Sequence, residues 1–375
     1  MGGNSLKKTK SGRKPRVSCK VKISSEPKFT LPPHSYRNVI STLSQSQGWQ
    51  IQQLNVPDAW KVTEGEGETI FQIDTGQPNH IDLNDNILSD KCRSFVPGED
   101  VSDKEGHSSH TAGLMVAENN GIGIVGISPR AKIITVKSLD DSGMGDFDWI
   151  VSALKYAISI RQYISVISMS LGSPVGTDEL HDVIKTLYSL DVPLIAAVGN
   201  DGPSGSVNYP AAYPEVISCG AIDKNGNIAD FSSRGPRVDF VEPGEDLYST
   251  FLNNQYCIMS GSSMSTPILA SIVALLIAKH KKQEAEIGQN DCKTVEQIRQ
   301  HLIKYADDKG ALGRDSSYGY GVVSAGKLIL NNDSTLNTTL SSTISSIPTP
   351  IFGKPSKGVL RKIWEYLRNI FHINN

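Results

Sequence analysis

A long apolar run (Ile268, Leu269, Ala270, Ile272, Val273, Ala274, Leu275, Leu276, Ile277) follows the small-residue turn Gly261-Ser262-Ser263-Met264-Ser265-Thr266-Pro267. It has no polar face, so it predicts a helix buried on all sides. Shorter apolar runs at 69–73, 131–137, 166–171 and 192–198 have the length and boundaries of buried strands. Helical patterns at 147–158 and 178–189 lie between them. Strands alternating with helices predict an α/β fold of three layers, a mostly parallel central sheet with helices on both faces. Three of the strand-like runs leave into polar turns: Asp74-Thr75-Gly76, Ser170-Leu171-Gly172 and Gly199-Asn200-Asp201-Gly202.

The flanks divide the chain further. Residues 1–44 form a basic N-terminal extension, with Lys7, Lys8, Lys10, Arg13, Lys14, Arg16, Lys20 and Lys22 before Phe29-Thr30-Leu31-Pro32-Pro33-His34. It has no apolar core of a secretory signal, and Leu6 sits where a myristoylation motif needs Ser or Thr. A solvated tail is the expectation for its first 27 residues, with nucleic-acid binding as the alternative. Residues 45–330 read as one ordered domain. Residues 331–357 are a Ser/Thr/Pro-rich linker. In 358–375, Leu360, Ile363, Trp364, Leu367, Ile370 and Phe371 recur at helical spacing opposite Arg361, Lys362 and Arg368. That amphipathic helix suits a membrane surface, a partner, or the chain's own domain.

Composition narrows the partners. Lys plus Arg (37) nearly balance Asp plus Glu (39), so no overall field favours nucleic acid. No apolar run suggests a membrane span. The five cysteines are scattered, and their spacing matches neither a zinc site nor a disulfide framework. Reduced thiols in a cytoplasmic protein are the simplest reading.

Candidate chemistry sits at the element ends. Ser263 opens the core helix, where unpaired N–H groups favour negative charge; a serine cap is the alternative. Asp74 ends a strand, as a functional acid or as a turn residue. In Gly106-His107-Ser108-Ser109-His110-Thr111-Ala112-Gly113, small residues permit close packing and leave an imidazole at a helix start. Two histidines three apart can also ligate metal, though no Glu or Cys completes a zinc set. The Gly-rich loop 117–127, with Asn120 and its carbonyls, offers hard oxygen ligands for Ca²⁺.

Taken together, Asp74-Thr75-Gly76, Gly106-His107 with His110-Thr111-Ala112-Gly113, Ser170-Leu171-Gly172, Ala197-Val198-Gly199-Asn200 and Gly261-Ser262-Ser263-Met264 resemble the signature blocks of the subtilisin-like serine proteases, in that family's order. The layout is nearest to the intracellular subtilisins, and the likeness covers roughly 45–328. Ser108-Ser109 replaces the usual Gly-Thr, and Ser262 and Ser265 replace Thr and Ala. The resemblance implies a triad of Asp74, His107 and Ser263, with Asn200 and the Ser263 N–H as oxyanion donors. It implies that Ser170, Leu171, Gly172 and the loop from Gly143 to Gly145 flank an extended substrate. Ala197 and Asn208 belong to the P1 pocket, Phe147 and Ile150 to the P4 pocket. It implies structural Ca²⁺ on the side chains of Gln45, Asp82 and Asn120 and the carbonyls of Glu118, Ile122 and Ile124. A weaker cation site falls on the Ala211, Tyr213 and Val216 carbonyls with Asp239. The family's inhibitory block falls on Leu31, Pro32 and Pro33.

These readings describe a calcium-stabilised cytoplasmic endopeptidase that cleaves protein or peptide substrates through an acyl-enzyme and is restrained by its extension. The alternatives are a non-catalytic binding protein on the same fold, and a secreted enzyme whose signal is not in this sequence. Asp140 and Asp141 near P2 and Asp201 near P1 suggest a preference for basic side chains. A solvated acidic loop with ordinary preference for large apolar P1 residues is the alternative.

Overall fold

A computed structural model describes residues 28–32, the backbone of 35–39, and 44–331. The basic tail, Pro33, the linker and the amphipathic C-terminal helix read from the sequence lie outside the described residues. Contacts separate a first unit ending at Ile329 from a second beginning at Leu330.

In chain order the elements are β1 (Phe29–Thr30), β2 (Ser35–Val39), α1 (Trp49–Gln53), α2 (Val56–Trp60), β3 (Thr69–Asp74), β4 (Arg93–Ser94), α3 (His107–Val116), β5 (Lys132–Lys137), β6 (Met144–Gly145) and α4 (Phe147–Ser159). They continue with β7 (Val166–Met169), α5 (Asp178–Ser189), β8 (Leu194–Ala197), β9 (Ile217–Ile222), β10 (Phe240–Pro243), β11 (Leu247–Phe251), β12 (Gln255–Ser260), α6 (Ser262–Ile287) and α7 (Val295–Tyr305). A small pair, β13 (Ala306–Asp307) and β14 (Val322–Val323), and α8 (Ala325–Leu330) close the unit.

Seven strands form the main sheet in the order β10-β9-β8-β7-β3-β5-β4. Every pairing in it is parallel. Parallel strands need crossovers and are covered on both faces, which is why β3, β7, β8, β9 and β10 are buried along their whole length. Strand β3 shows the two faces. The Gln72 side chain reaches α3, donating to the Ser108 carbonyl at 3.1 Å. Phe71 points the other way, its ring 6.2 Å from that of Tyr156 on α4. Successive side chains of a strand face opposite ways, so α3 and α4 cover opposite faces. The three-layer α/β expectation holds.

Helix α6 packs on α3 and runs across β3, β7, β8, β9 and β10. It is long and apolar enough to cross a membrane, contrary to the reading that no segment is. Its apolar window is wholly enclosed by the protein, so it serves as the core helix that the absence of a polar face predicted.

Candidate active site

Strand β3 pairs with β5 on one side and β7 on the other, so the direction of the crossovers reverses there. Crevices in open α/β sheets form at the carboxyl ends of strands at such a switch point. Asp74, the last residue of β3, stands at that point and is 1% exposed. Its Oδ1 accepts from the Thr75 N–H at 2.7 Å and faces His107 Nδ1 at 2.8 Å. Its Oδ2 accepts from the Thr111 hydroxyl at 3.2 Å and the Gln72 amide at 3.4 Å. A buried carboxylate is tolerable only when its lone pairs are met in this way.

His107 begins α3. The turn before it needs Gly106, whose φ is 102° and whose missing Cβ leaves room for the Phe251 ring. Asp103 ties the helix start down. Its Oδ1 accepts from the Thr75 hydroxyl (2.8 Å) and the Gly106 N–H (2.9 Å), and its Oδ2 from the Ser109 N–H (2.8 Å). The Glu105 carboxylate accepts the His107 N–H at 2.7 Å. Burial alone pushes the His107 pKa down; the Asp74 charge and hydrogen bond, with the Glu105 and Asp103 charges behind them, carry it above the usual imidazole value.

Ser263 lies in the first turn of α6. Pro267 in the same helix cannot donate to the carbonyl of Ser263 four residues back. The Ser170 hydroxyl takes that carbonyl at 2.8 Å, and the Ser263 hydroxyl donates to the Ser170 carbonyl at 3.3 Å. The loop after β7 is thereby tied to the start of α6. Asn200 follows β8 and accepts the Ser262 N–H on Oδ1 at 2.8 Å, so its Nδ2 is the end turned away from the helix backbone. Asp74, His107, Ser263 and Asn200, far apart in sequence, thus come from β3, α3, α6 and the β8 exit.

The chain's own extension lies on the strands singled out for substrate. β1 pairs antiparallel with β6, Phe29 opposite Gly145 and Thr30 opposite Met144. Thr30 exchanges both main-chain bonds with Gly172, at 3.1 and 3.2 Å. The Leu31 N–H donates to the Gly143 carbonyl at 3.1 Å. Gly143 has φ 75°, and a Cβ there would come 2.8 Å from Leu31 Cδ1. Phe29 is fully buried, its ring 4.7 Å from that of Phe147 in an edge-on contact. Ile150 and Leu171 are fully buried, and Pro32 is buried too. β2 then pairs antiparallel with β12, from Ser35 opposite Ser260 to Val39 opposite Tyr256. Ala197 ends β8 opposite Cys219, and the Asn208 N–H bonds the Val198 carbonyl.

The acidic loop does not present open carboxylates. Asp141 pairs with the buried Lys137 at 2.8 Å and with Lys104 at 3.6 Å. Asp140 is occupied by the Ser142 and Met144 N–H groups at 2.9 and 3.0 Å, and Asp201 by the Asn208 amide at 3.2 Å. Two lysines offset the Asp141 charge, while Asp140 and Asp201 keep theirs under N–H donors, so the loop offers a weakened basis for a preference for basic P2 residues. Asp140→Asn with Asp141→Asn should leave the P2 Lys-to-Ala ratio of kcat/KM within about twofold; a collapse of that ratio in a peptide library would restore the electrostatic account.

The expected calcium residues converge. Gln45 bonds the Glu118 and Ile124 carbonyls at 2.7 and 2.9 Å. Asp82 is fully buried and accepts from the Asn120 amide (3.0 Å), the Ile124 N–H (2.9 Å) and the Tyr256 hydroxyl (3.1 Å). Burial holds its carboxyl above the usual range. Ile122 is 39% exposed, and its N–H bonds Asn120 Oδ1. A buried carboxylate, two carbonyls and two amides that present oxygen when turned over form a hard-donor set that fits Ca²⁺. The second cation site is a correction. The Arg299 guanidinium bonds Asp239 Oδ2 at 2.9 Å and the Val216 carbonyl at 3.4 Å, and Arg237 bonds the Tyr213 carbonyl at 2.9 Å. Arg314 takes Asp239 Oδ1 at 2.9 Å. Guanidinium groups fill the place assigned to an ion.

Sequence reading passed over Gln72, Asp103 and Glu105, and quoted Thr111 only as part of a signature block. Their only sequence signal is nearness to Asp74 or His107, and an Asp three residues before the helix start at Gly106-His107 is the cue that was available for Asp103.

Comparison with known proteins agrees with the geometry. A family model described as the subtilase family matches residues 65–321. The chain is 35% identical over 283 residues to the minor extracellular protease Epr of Bacillus subtilis (strain 168), covering 75% of this chain and 42% of that one. It is 36% identical over 236 residues to an intracellular serine protease of Paenibacillus polymyxa, covering 60% of this chain and 71% of that one. It is 37% identical over 284 residues to subtilisin Savinase of Lederbergia lenta, covering 75% of this chain and 98% of that one. The span of the family match, the all-parallel sheet and the Asp-His pair at its switch point lead to one assignment: the chain belongs to the subtilase family, the subtilisin-type serine endopeptidases.

Proposed function

We propose that this chain hydrolyses peptide bonds through Asp74, His107 and Ser263 by way of an acyl-enzyme, and that residues 29–33 hold it as a zymogen. The observation that carries the reading is the 2.8 Å contact of Asp74 with His107 Nδ1, which places a proton on Nδ1 and leaves Nε2 basic. His107 Nε2 takes the Ser263 hydroxyl proton as Oγ attacks the carbonyl carbon. The imidazolium formed is stabilised by Asp74 and gives the proton to the departing amine. Water then repeats the sequence on the ester, returning Ser263. The Asn200 amide and the Ser263 N–H face the oxyanion of both tetrahedral intermediates. A fluorophosphonate probe tests this: it should label Ser263 once the extension is removed, and fail on the His107→Ala variant. A truncated, folded protein left unlabelled would identify a binding protein on the same fold.

Electrostatics at His107 sets the pH dependence. Its neutral form is the base, and its pKa is raised, so activity is absent on the acid side and appears as pH climbs through a value above about 6.5. Glu105→Gln removes one of the charges that raise it. The acid limb of kcat/KM should therefore move to lower pH; an unmoved limb excludes Glu105 from the tuning.

Ca²⁺ on Gln45, Asp82, Asn120 and the neighbouring carbonyls supplies fold stability and takes no part in the chemistry. An ion bound by the folded state alone stabilises by mass action, by about 2.7 kcal/mol at a hundred times its Kd. Chelation should lower Tm by several degrees in the parent and barely in Asp82→Ala. Equal shifts in both would move the ion elsewhere.

The proposed compartment is the cytoplasm. Cys92, Cys219, Cys257 and Cys292 are free and buried. Burial pushes the Cys92 thiol up to about 11 and those of Cys257 and Cys292 to about 12, which suits thiols that stay reduced.

A further inference from the structure

Helix α6 carries a second cluster at its other end, roughly 25 Å from Ser263 by the rise of the helix. His280 on α6, Asp291 in the following loop and His301 on α7 place one ligand atom each within 4.8 Å of one another. His280 Nδ1 lies 2.7 Å from Asp291 Oδ1, and His301 Nε2 lies 3.5 Å from the same oxygen. His301 Nε2 is also 3.3 Å from the Asp291 carbonyl oxygen. The imidazoles are 4% and 10% exposed, with ring centroids 4.9 Å apart, while the Asp291 side chain is 58% exposed. Nothing in the peptidase chemistry uses these residues.

We propose that His280, Asp291 and His301 bind one zinc ion, with solvent as the fourth ligand on the open side of Asp291. Bonds of about 2.0–2.1 Å in a tetrahedron set neighbouring ligand atoms about 3.3 Å apart. The separations on either side of Asp291 Oδ1 bracket that value, and all three ligand atoms lie within 4.8 Å of one another, so side-chain rotation can close the set on an ion. Two imidazoles and one carboxylate are borderline donors that select a transition metal. Calcium or magnesium needs six or more oxygens, or an octahedral shell of them, and the cluster does not offer these. The positions of the ligands also define what the ion does. It joins the end of α6, the loop after Gly288 and α7, adding a metal crosslink to the Glu284 contacts with Asn290 and Lys293 (2.9 and 2.6 Å) and to the packing of Cys292, Ile298 and Leu302 in the core. The site is structural, and its effect falls on the α6–α7 junction and leaves the cleft unchanged.

The test uses the full chain carrying Ser263→Ala, which cannot digest itself. After chelation and return to calcium buffer, zinc chloride is titrated by calorimetry, bound metal is counted by mass spectrometry, and Tm is read with and without zinc. One equivalent should bind and raise Tm by a few degrees. Asp291→Asn, a near-isosteric change at an exposed residue, and His301→Ala should each weaken zinc by more than about tenfold. Cobalt in place of zinc should give visible absorption that both variants lose. No stoichiometric binding by the parent, or binding and absorption unchanged in Asp291→Asn, overturns the proposal; the second result would assign the ion to another site such as His107.

Discussion

Deleting residues 1–44 should raise activity on a peptide substrate by about 100-fold or more over the intact chain. On the proposed zymogen reading, the extension competes from within the same molecule. A tethered segment acts at an effective concentration on the order of millimolar, so even a peptide of about 10 μM affinity would occupy the cleft some 99% of the time. The contacts support such an affinity: Thr30 and Leu31 make three main-chain bonds to Gly172 and Gly143, and Phe29 is fully buried. Burying a phenylalanine side chain contributes about 1.5–3 kcal/mol. With Phe29 at P4 against Phe147, Thr30 is P3, Leu31 is P2 and Pro32 is P1. By sequence, the bond offered for attack is then Pro32–Pro33. Its nitrogen is tertiary, and each ring fixes φ, so the segment resists adjustment to the near-attack geometry that peptide hydrolysis needs. Pro32→Ala with Pro33→Ala should turn the segment into a substrate, visible by mass spectrometry as rapid cleavage near residue 32. An intact precursor as active as the truncated protein would defeat this account, and so would slow processing in the double variant.

Asn200→Ala should lower kcat by about 10²–10³-fold with KM little changed, a scale that comes from subtilisin itself. The reason lies in the geometry of the amide. Its Oδ1 is committed to the Ser262 N–H at 2.8 Å, which fixes the orientation of Nδ2 before substrate arrives. A donor held in place needs no reorganisation as the oxyanion forms, and it favours the transition state over the ground-state carbonyl. Asn200→Asp keeps the shape and replaces the donor by a charge that repels the oxyanion, so it should be at least as damaging. If Asn200→Ala raised KM and spared kcat, the residue would be a substrate contact and not an oxyanion donor.

The sheet's centre was legible because burial leaves a mark: β3, β5, β7 and β8 are apolar runs, and α6 lacks a polar face. β9 escaped notice because Ser218, Cys219 and Gly220 interrupt its apolar residues. β2 and β12 escaped because their pairing joins segments over two hundred residues apart, and Ser, Tyr, Arg and Asn in β2 show no periodicity. The candidate catalytic positions stood out through motif order, but the buried support of Asp74 and His107 did not. Gln72 becomes informative only when folding brings it to Asp74, and the helix-start position of Asp103 gains its meaning only with its contacts to Thr75, Gly106 and Ser109. Arginine reach was equally invisible: nothing local says that Arg299 and Arg314 extend to Asp239 and take the place assigned to an ion.

The pairing of β2 with β12 also bears on how the chain behaves once the extension is removed. In the intact chain β12 has β11 on one side and β2 on the other. Loss of the extension strips one side of the strand from Tyr256 to Ser260 and leaves a row of unpaired N–H and C=O groups beside the cleft. Bare strand edges recruit other strands, from a neighbouring molecule as readily as from a polypeptide being cut. The intact chain is thus the form better protected against clumping, and a chain cut back to Gln45 should keep best when dilute or when an extended peptide lies along that edge.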